Sequence, residues 1–146
     1  MKLARLTGYL GLALTLTAIA ASAQTMAIVN GASFQPNGPL APGSFASMFG
    51  RNLCSQTAAA DWVAPGQLPT NVAGCSVTVN GMPAMMHYVS PGQVNFIVPE
   101  GVGTGSAQVS VHNGANGIQG TMTVRGGGPG VFALSGMGTG QGAVLH

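Results

Sequence analysis

The chain has 146 residues, 46% of them hydrophobic and only 4% charged, with a formal net charge of +2. Its length suits one domain with appendages. Lys2 and Arg5 sit at the extreme N-terminus, and beyond them Arg51 and Arg125 balance Asp61 and Glu100, so no basic patch exists to neutralise phosphates or anionic lipid, and nucleic acid and charged membrane surfaces are excluded as partners.

In chain order, the first element is an export signal. Lys2 and Arg5 form its positive start, Leu6 to Ala20 its short apolar centre, and Ala21-Ser22-Ala23 a small-residue cleavage site; residues 1–23 are therefore expected to be removed, with no membrane span left afterwards. Residues 24–42 ("NGASFQPNGPLAPG" and its flank) are rich in Gly, Pro and Asn and predict an extended lead-in with turns. Residues 44–50, "SFASMFG", predict the first long strand, apolar on both faces. Residues 51–74 predict a long loop holding Cys54 and the single Trp62.

The strand pattern then becomes regular. Cys75, Val77 and Val79 alternate with Ser76 and Thr78, and Asn80-Gly81 follows. Both central residues of a type I′ turn need positive φ, which Asn and Gly tolerate best, so this pair predicts a hairpin. The return strand is expected over residues 82–89, at an edge or irregular because Pro83 lacks an amide donor. "SPGQ", 90–93, predicts a turn, and Val94, Phe96 and Val98 are expected to face inward from the next strand. Ala107, Val109 and Val111, then Ile118, Met122 and Val124, alternate with polar residues in two more strands. Short strands with no helical period after the signal predict an all-β sandwich over residues 43–125. The Gly-rich residues 126–146 predict a flexible linker followed by the start of a further strand, "GAVLH", at which the chain ends.

Cys54 and Cys75 are the only cysteines. An even count in an exported chain predicts a disulfide. It would close a loop of about 20 residues, a constraint that contributes on the order of 3 kcal/mol.

The segments "APGSFASMFGRNL", "LPTNVAGCSVTVNGMPAMMHYVSPGQVNFIVP", "GPGVF" and "GQGAV" together resemble the IPT/TIG class of immunoglobulin-like domains. More closely, they are similar to the secreted acidobacterial (Solibacter-type) uncharacterised C-terminal domain. The resemblance covers about residues 28–144 and implies an immunoglobulin-like antiparallel β-sandwich. In that family "GQGAV" opens a second β half, so only the N-terminal half is expected here. The chain is then a fragment, a split gene product or a stand-alone short form.

Residues able to carry chemistry are sparse. Asp61 and Glu100 lie in separate loops, so a catalytic carboxylate pair is not expected. His87, His112 and His146 show no metal-ligand spacing, and His87 near Ser90 has neither an acid partner nor a nucleophile elbow. The glycines at 126–128 and 136–142 lack the helix and Lys of a phosphate loop. No cofactor and no metal site are expected, and the protein is read as non-enzymatic. Met82, Met85, Met86 and Tyr88 form either core or an adhesive edge patch; alternation lets only one of Met85 and Met86 face inward. The candidate interaction surface comprises Met85, His87, Tyr88, Val131, Phe132, Val144 and Leu145.

The expected function is a secreted, periplasmic or cell-surface module for binding, adhesion or extracellular assembly, with a protein or glycan partner. One alternative is an accessory domain, attached to carbohydrate or to a catalytic module, from a larger secreted enzyme. Another is a filament subunit using β-strand addition. Self-association through residues 131–146 onto a neighbouring sheet edge is the favoured expectation for the tail, over folding back on its own domain. Protein recovered after export is expected to begin at Gln24, which N-terminal sequencing or intact mass checks.

Overall fold

Inward-facing apolar residues at every second position build two antiparallel sheets that face one another. The computed structural model describes residues 26–35, 38–114, 116–128, 130–136 and 138–143. The signal expectation for residues 1–23 lies outside them. The strands are β1 (Ala27–Asn30), β2 (Phe45–Phe49), β3 (Ala58–Ala59), β4 (Asn71–Val72), β5 (Cys75–Val79), β6 (Met82–Pro83), β7 (Met85–Val89), β8 (Gln93–Ile97), β9 (Gly105–Asn113) and β10 (Asn116–Val124). The first sheet has the order β1-β2-β8-β7-β3, and the second β10-β9-β5-β4 with β6 also on β5. No helix occurs among the described residues, and the all-β sandwich expected from the alternation is present.

One cluster fills the space between the sheets. From the first sheet Ala46, Met48, Met86, Val89, Val94 and Phe96 are completely buried, as are Cys75, Val77, Val79, Ala107, Val109 and Val111 from the second. Each large side chain among these contributes about 1.5–3 kcal/mol by leaving water. Val94, Phe96 and Val98 all face inward as the alternation requires.

Asn80 and Gly81 have φ of 49° and 80°, the signs a type I′ turn needs. Asn80 N–H donates to the Gln108 carbonyl and Gln108 N–H to Asn80 Oδ1, both at 2.8 Å, which ties the hairpin tip to β9. The return strand differs from the single run expected over 82–89. β6 pairs for only two residues, Thr78↔Pro83 and Val79↔Met82. At the buried Ala84 the chain then leaves the second sheet and joins the first as β7. Pro83 has no N–H with which to extend the ladder. Within β7 the register slips between Met86, opposite Phe96, and Tyr88, opposite Asn95. This bulge allows Met86 and Val89, three positions apart, both to face the core. Met85 is thereby the outward methionine, half-buried, with Leu68 N–H 3.4 Å from its sulfur.

Cys54 and Cys75 are bonded, with Cα atoms 5.7 Å apart, and both are buried. The segment between them is not wholly loop: β3 adds to the edge of the first sheet and β4 to the edge of the second. Two-residue strands are too short for alternation to reveal.

Both ends of the sandwich extend beyond the expected 43–125. β1, inside the expected lead-in, pairs with β2 through Ala27↔Phe49 to Asn30↔Ala46. Leu40 is buried, bridges Val124 in parallel, and accepts from Arg125 N–H at 2.8 Å. The buried Asn30 acts as a clamp. Its Nδ2 donates to the Pro39 and Gly128 carbonyls, each at 3.3 Å. Its Oδ1 accepts from Ala32 N–H at 3.0 Å and Ser33 N–H at 3.2 Å. A Cβ at the buried Gly128 would lie 2.7 Å from the Pro39 oxygen, so glycine is required there by close approach. The Gly-rich segment is therefore pinned at its start rather than a free tether. Beyond it, Ala143 N–H donates to the Phe132 carbonyl at 2.6 Å and Leu134 N–H to that of Gln141 at 2.8 Å. This loop rests on the protein's own first sheet, where the Phe132 ring meets Phe45 at 6.4 Å. Val144 and Leu145 lie outside the described residues.

Two stability outcomes follow. Replacing both cysteines, C54S/C75S, is expected to lower unfolding free energy by about 3 kcal/mol in urea titration while leaving the β-type circular dichroism in place. Asn30→Ala leaves two carbonyls and two amides without their partner and is expected to cost about 1–3 kcal/mol in the same titration.

Candidate functional site

The bulge and the pleat of the first sheet decide what faces outward. Phe45 and Ser47 alternate with the buried Ala46 and Met48 on β2, Asn95 separates the buried Val94 and Phe96 on β8, and His87 follows the buried Met86 on β7. These four side chains form the floor of a cleft of about 420 Å³. Phe34, from the turn after β1, and Phe132 with Ala133, from the folded-back tail, complete its lining.

Aromatic contacts organise the cleft. Phe45 lies edge-on to both His87, at 6.0 Å and 90°, and Phe132, at 6.4 Å and 74°. Such edge-to-face pairs add about 0.5–1.5 kcal/mol beyond burial and hold the rings in fixed orientations. Phe34 is braced by Phe49 at 6.4 Å. His87 is anchored through its carbonyl, which accepts from Ala60 N–H at 2.8 Å. Asn95 accepts from Gln93 Nε2 at 2.9 Å, which leaves its amide NH2 as the donor available to a ligand. Ser47 is only 2% exposed, at the cleft base.

No charged side chain lines this cleft. Ser47 and His87 share it without a carboxylate to orient the imidazole, as a nucleophilic triad would need. Asp61 and Glu100 are exposed, on the loops after β3 and β8. Among the described residues no three His, Cys, Asp or Glu side chains group as metal ligands. The arrangement suits non-covalent capture of an uncharged, partly apolar group, with imidazole, amide and hydroxyl to orient it.

Of the surface residues singled out from sequence, the fold brings His87 and Phe132 together, through Phe45. Met85 instead lines a separate depression with Ile97 and Pro99, and Tyr88 is half-buried on β7 away from the cleft lining. Val131 is 61% exposed and does not line the cleft. Phe34, Phe45, Ser47 and Asn95 were not anticipated. For Phe45 and Ser47 the signal was the outer face of "SFASMFG", where Phe45 and Phe49 alternate with core residues without being core themselves; Phe34 and Asn95 lie outside that stretch.

Comparison with known families matches residues 29–125 to the IPT/TIG domain. No match was found among curated proteins. Among solved structures, the crystal structure of a Bacteroides thetaiotaomicron VPI-5482 protein described as a candidate phosphatase is similar at a TM-score of 0.42 and 18% identity, with 71% of this chain and 18% of that one covered. Likeness at that level contributes nothing to the functional argument. The family match, by contrast, runs from within β1 to just past β10, and the chain belongs to the IPT/TIG family of immunoglobulin-like domains.

Proposed function

We propose that the protein is an extracellular, non-enzymatic binding module that seats a neutral partner group in the cleft on its first sheet. The single observation behind this reading is the uncharged aromatic lining, in which Phe34, Phe45 and Phe132 surround His87, Asn95 and Ser47. A concave site of this size, mostly apolar with a few convergent polar groups, is the usual form of a binding pocket. The intramolecular disulfide is compatible with an oxidising, extracellular setting. Within the IPT/TIG family, "GPGVF" and "GQGAV" favour the secreted acidobacterial type.

In this reading the ligand places an apolar face against the Phe45 and Phe132 rings and gains from removing both from water. Asn95, His87 and Ser47 then supply orientation. A neutral glycan and an uncharged protein loop share this chemistry. The test is an NMR titration of 15N-labelled protein with neutral oligosaccharides and with uncharged peptides. Shifts are expected to cluster at Phe45, His87, Asn95 and Phe132, and Phe132→Ala is expected to weaken binding about tenfold or more, as for an interface anchor. Shifts mapping away from the first sheet, or affinity unchanged in the Phe132 variant, would overturn the assignment.

A further inference from the structure

The depression lined by Met85 adjoins the cleft. It holds about 440 Å³ and is lined by Pro83, Met85, Ile97 and Pro99, with Gly43, Gly66 and Glu100. The strand register relates the two. Met85 and His87 lie two residues apart on β7, on either side of the buried Met86. Ile97 on β8 is the partner both of Met85 on β7 and of Phe45 on β2. The Phe45–His87 pair of the cleft therefore has Ile97 and Met85 as its immediate neighbours.

The chemistry of the depression differs from that of the cleft. Ile97, only 9% exposed, forms its floor. The Met85 sulfur accepts from Leu68 N–H at 3.4 Å, which anchors the thioether. Pro83 and Pro99 add apolar rings without backbone donors. The single charge is the Glu100 carboxylate. It stands against the chain before β2, because a Cβ at Gly43 would lie 3.9 Å from Glu100 Oε1. Glu100 is exposed, and among the described residues no cationic side chain pairs with it. Apolar walls with one unpaired carboxylate complement a linear apolar stem that ends in a cation. Lysine has this form: its methylene stem lies along apolar surface while the compact ammonium reaches the charge. Arginine has a shorter stem and a wider, planar head.

We infer that this depression takes a lysine side chain of a partner polypeptide, two residues along from the apolar side chain seated in the cleft. Side chains at i and i+2 of an extended segment point the same way, about 7 Å apart, which is also the spacing from His87 to Met85 on β7. A partner segment running along β7 over the outer face sets both residues down together. The pairing rests on the cleft reading proposed above, whereas the lysine subsite stands on Glu100, Met85 and Ile97. Charge complementarity selects between the two partner classes that the cleft chemistry admits, since a neutral glycan brings no cation to Glu100. A second copy of this chain does not supply the lysine either: its single lysine is Lys2, inside the expected export segment.

Titration of n-butylammonium chloride into the chain beginning at Gln24, with 13C-labelled Met and Ile methyl groups, tests the subsite by itself. Shifts are expected at Met85 and Ile97, and Glu100→Gln is expected to diminish them. The blocked peptide acetyl-Gly-Phe-Ser-Lys-Gly-amide then tests the pairing against its norleucine counterpart. The lysine peptide is expected to bind about threefold more tightly, the size of an exposed ion pair. That advantage is expected to disappear in Glu100→Gln and in about 0.5 M NaCl. Glu100→Lys is expected to prefer the same peptide with glutamate in place of lysine. Phe132→Ala is expected to weaken peptide binding and leave the butylammonium shifts intact, so failure of the cleft reading and failure of the lysine subsite register separately. Butylammonium shifts that miss Met85 and Ile97, or a lysine advantage that survives Glu100→Gln, overturn the inference. A neutral oligosaccharide that binds the cleft more tightly than the lysine peptide overturns it as well.

Discussion

The extra residue in β7 sets the arrangement of both faces of the first sheet. Without the slip between Met86 and Tyr88, strict alternation would turn Val89 outward and bring Tyr88, with its hydroxyl, toward the core. With it, Met86 and Val89 close the core while His87 stands on the outer surface against Phe45. The same local irregularity thus completes the packing under the sheet and orients an aromatic pair above it. A conservative change of side chain elsewhere in β7 alters one contact, whereas loss of the bulge would exchange the two faces over the end of the strand.

Low charge shapes the rest of the molecule. With so few ionisable groups, the described loops are held by backbone and side-chain hydrogen bonds. Ser90 shows the pattern: its hydroxyl accepts from Gly92 and Gln93 N–H groups and fixes the turn before β8. Asn30, Asn80 and Asn95 serve the N-terminal clamp, the hairpin tip and the cleft in the same way. Interactions of this kind are little screened by salt, unlike surface ion pairs. A surface with so little charge exerts little electrostatic steering on whatever approaches it.

Much of the sandwich was legible in the sequence, because its central strands alternate cleanly. Val77, Val79, Val94, Phe96, Val109 and Val111 announce their inward faces, and Asn80-Gly81 announces its turn. The disulfide was legible from parity and the expected export. What escaped were features that depend on distant partners. β1 is four residues between turn-forming stretches, and its place beside β2 is decided by pairing, not by its own pattern. The crossing of the chain between sheets at Ala84 reflects the lost donor at Pro83. The Gly-rich tail looks structureless in sequence because Gly128 is chosen for the backbone it touches, 98 residues from Asn30. The cleft was only half visible: His87 and Phe132 stood out, but the floor joining them comes from strands whose outward residues look like interrupted core.

The Asn30 clamp also bears on how the molecule comes apart. Its bond to Gly128 joins the first strand to a point beyond the last, so its formation awaits nearly complete collapse of the intervening chain. Contacts of such range are usually made after the folding barrier, and they act chiefly by slowing escape from the native state. The amide thus works as a latch on persistence: it governs lifetime more than speed of assembly. Wherever such a domain meets a protease, lifetime is the quantity that decides survival when cleavage outpaces reclosing.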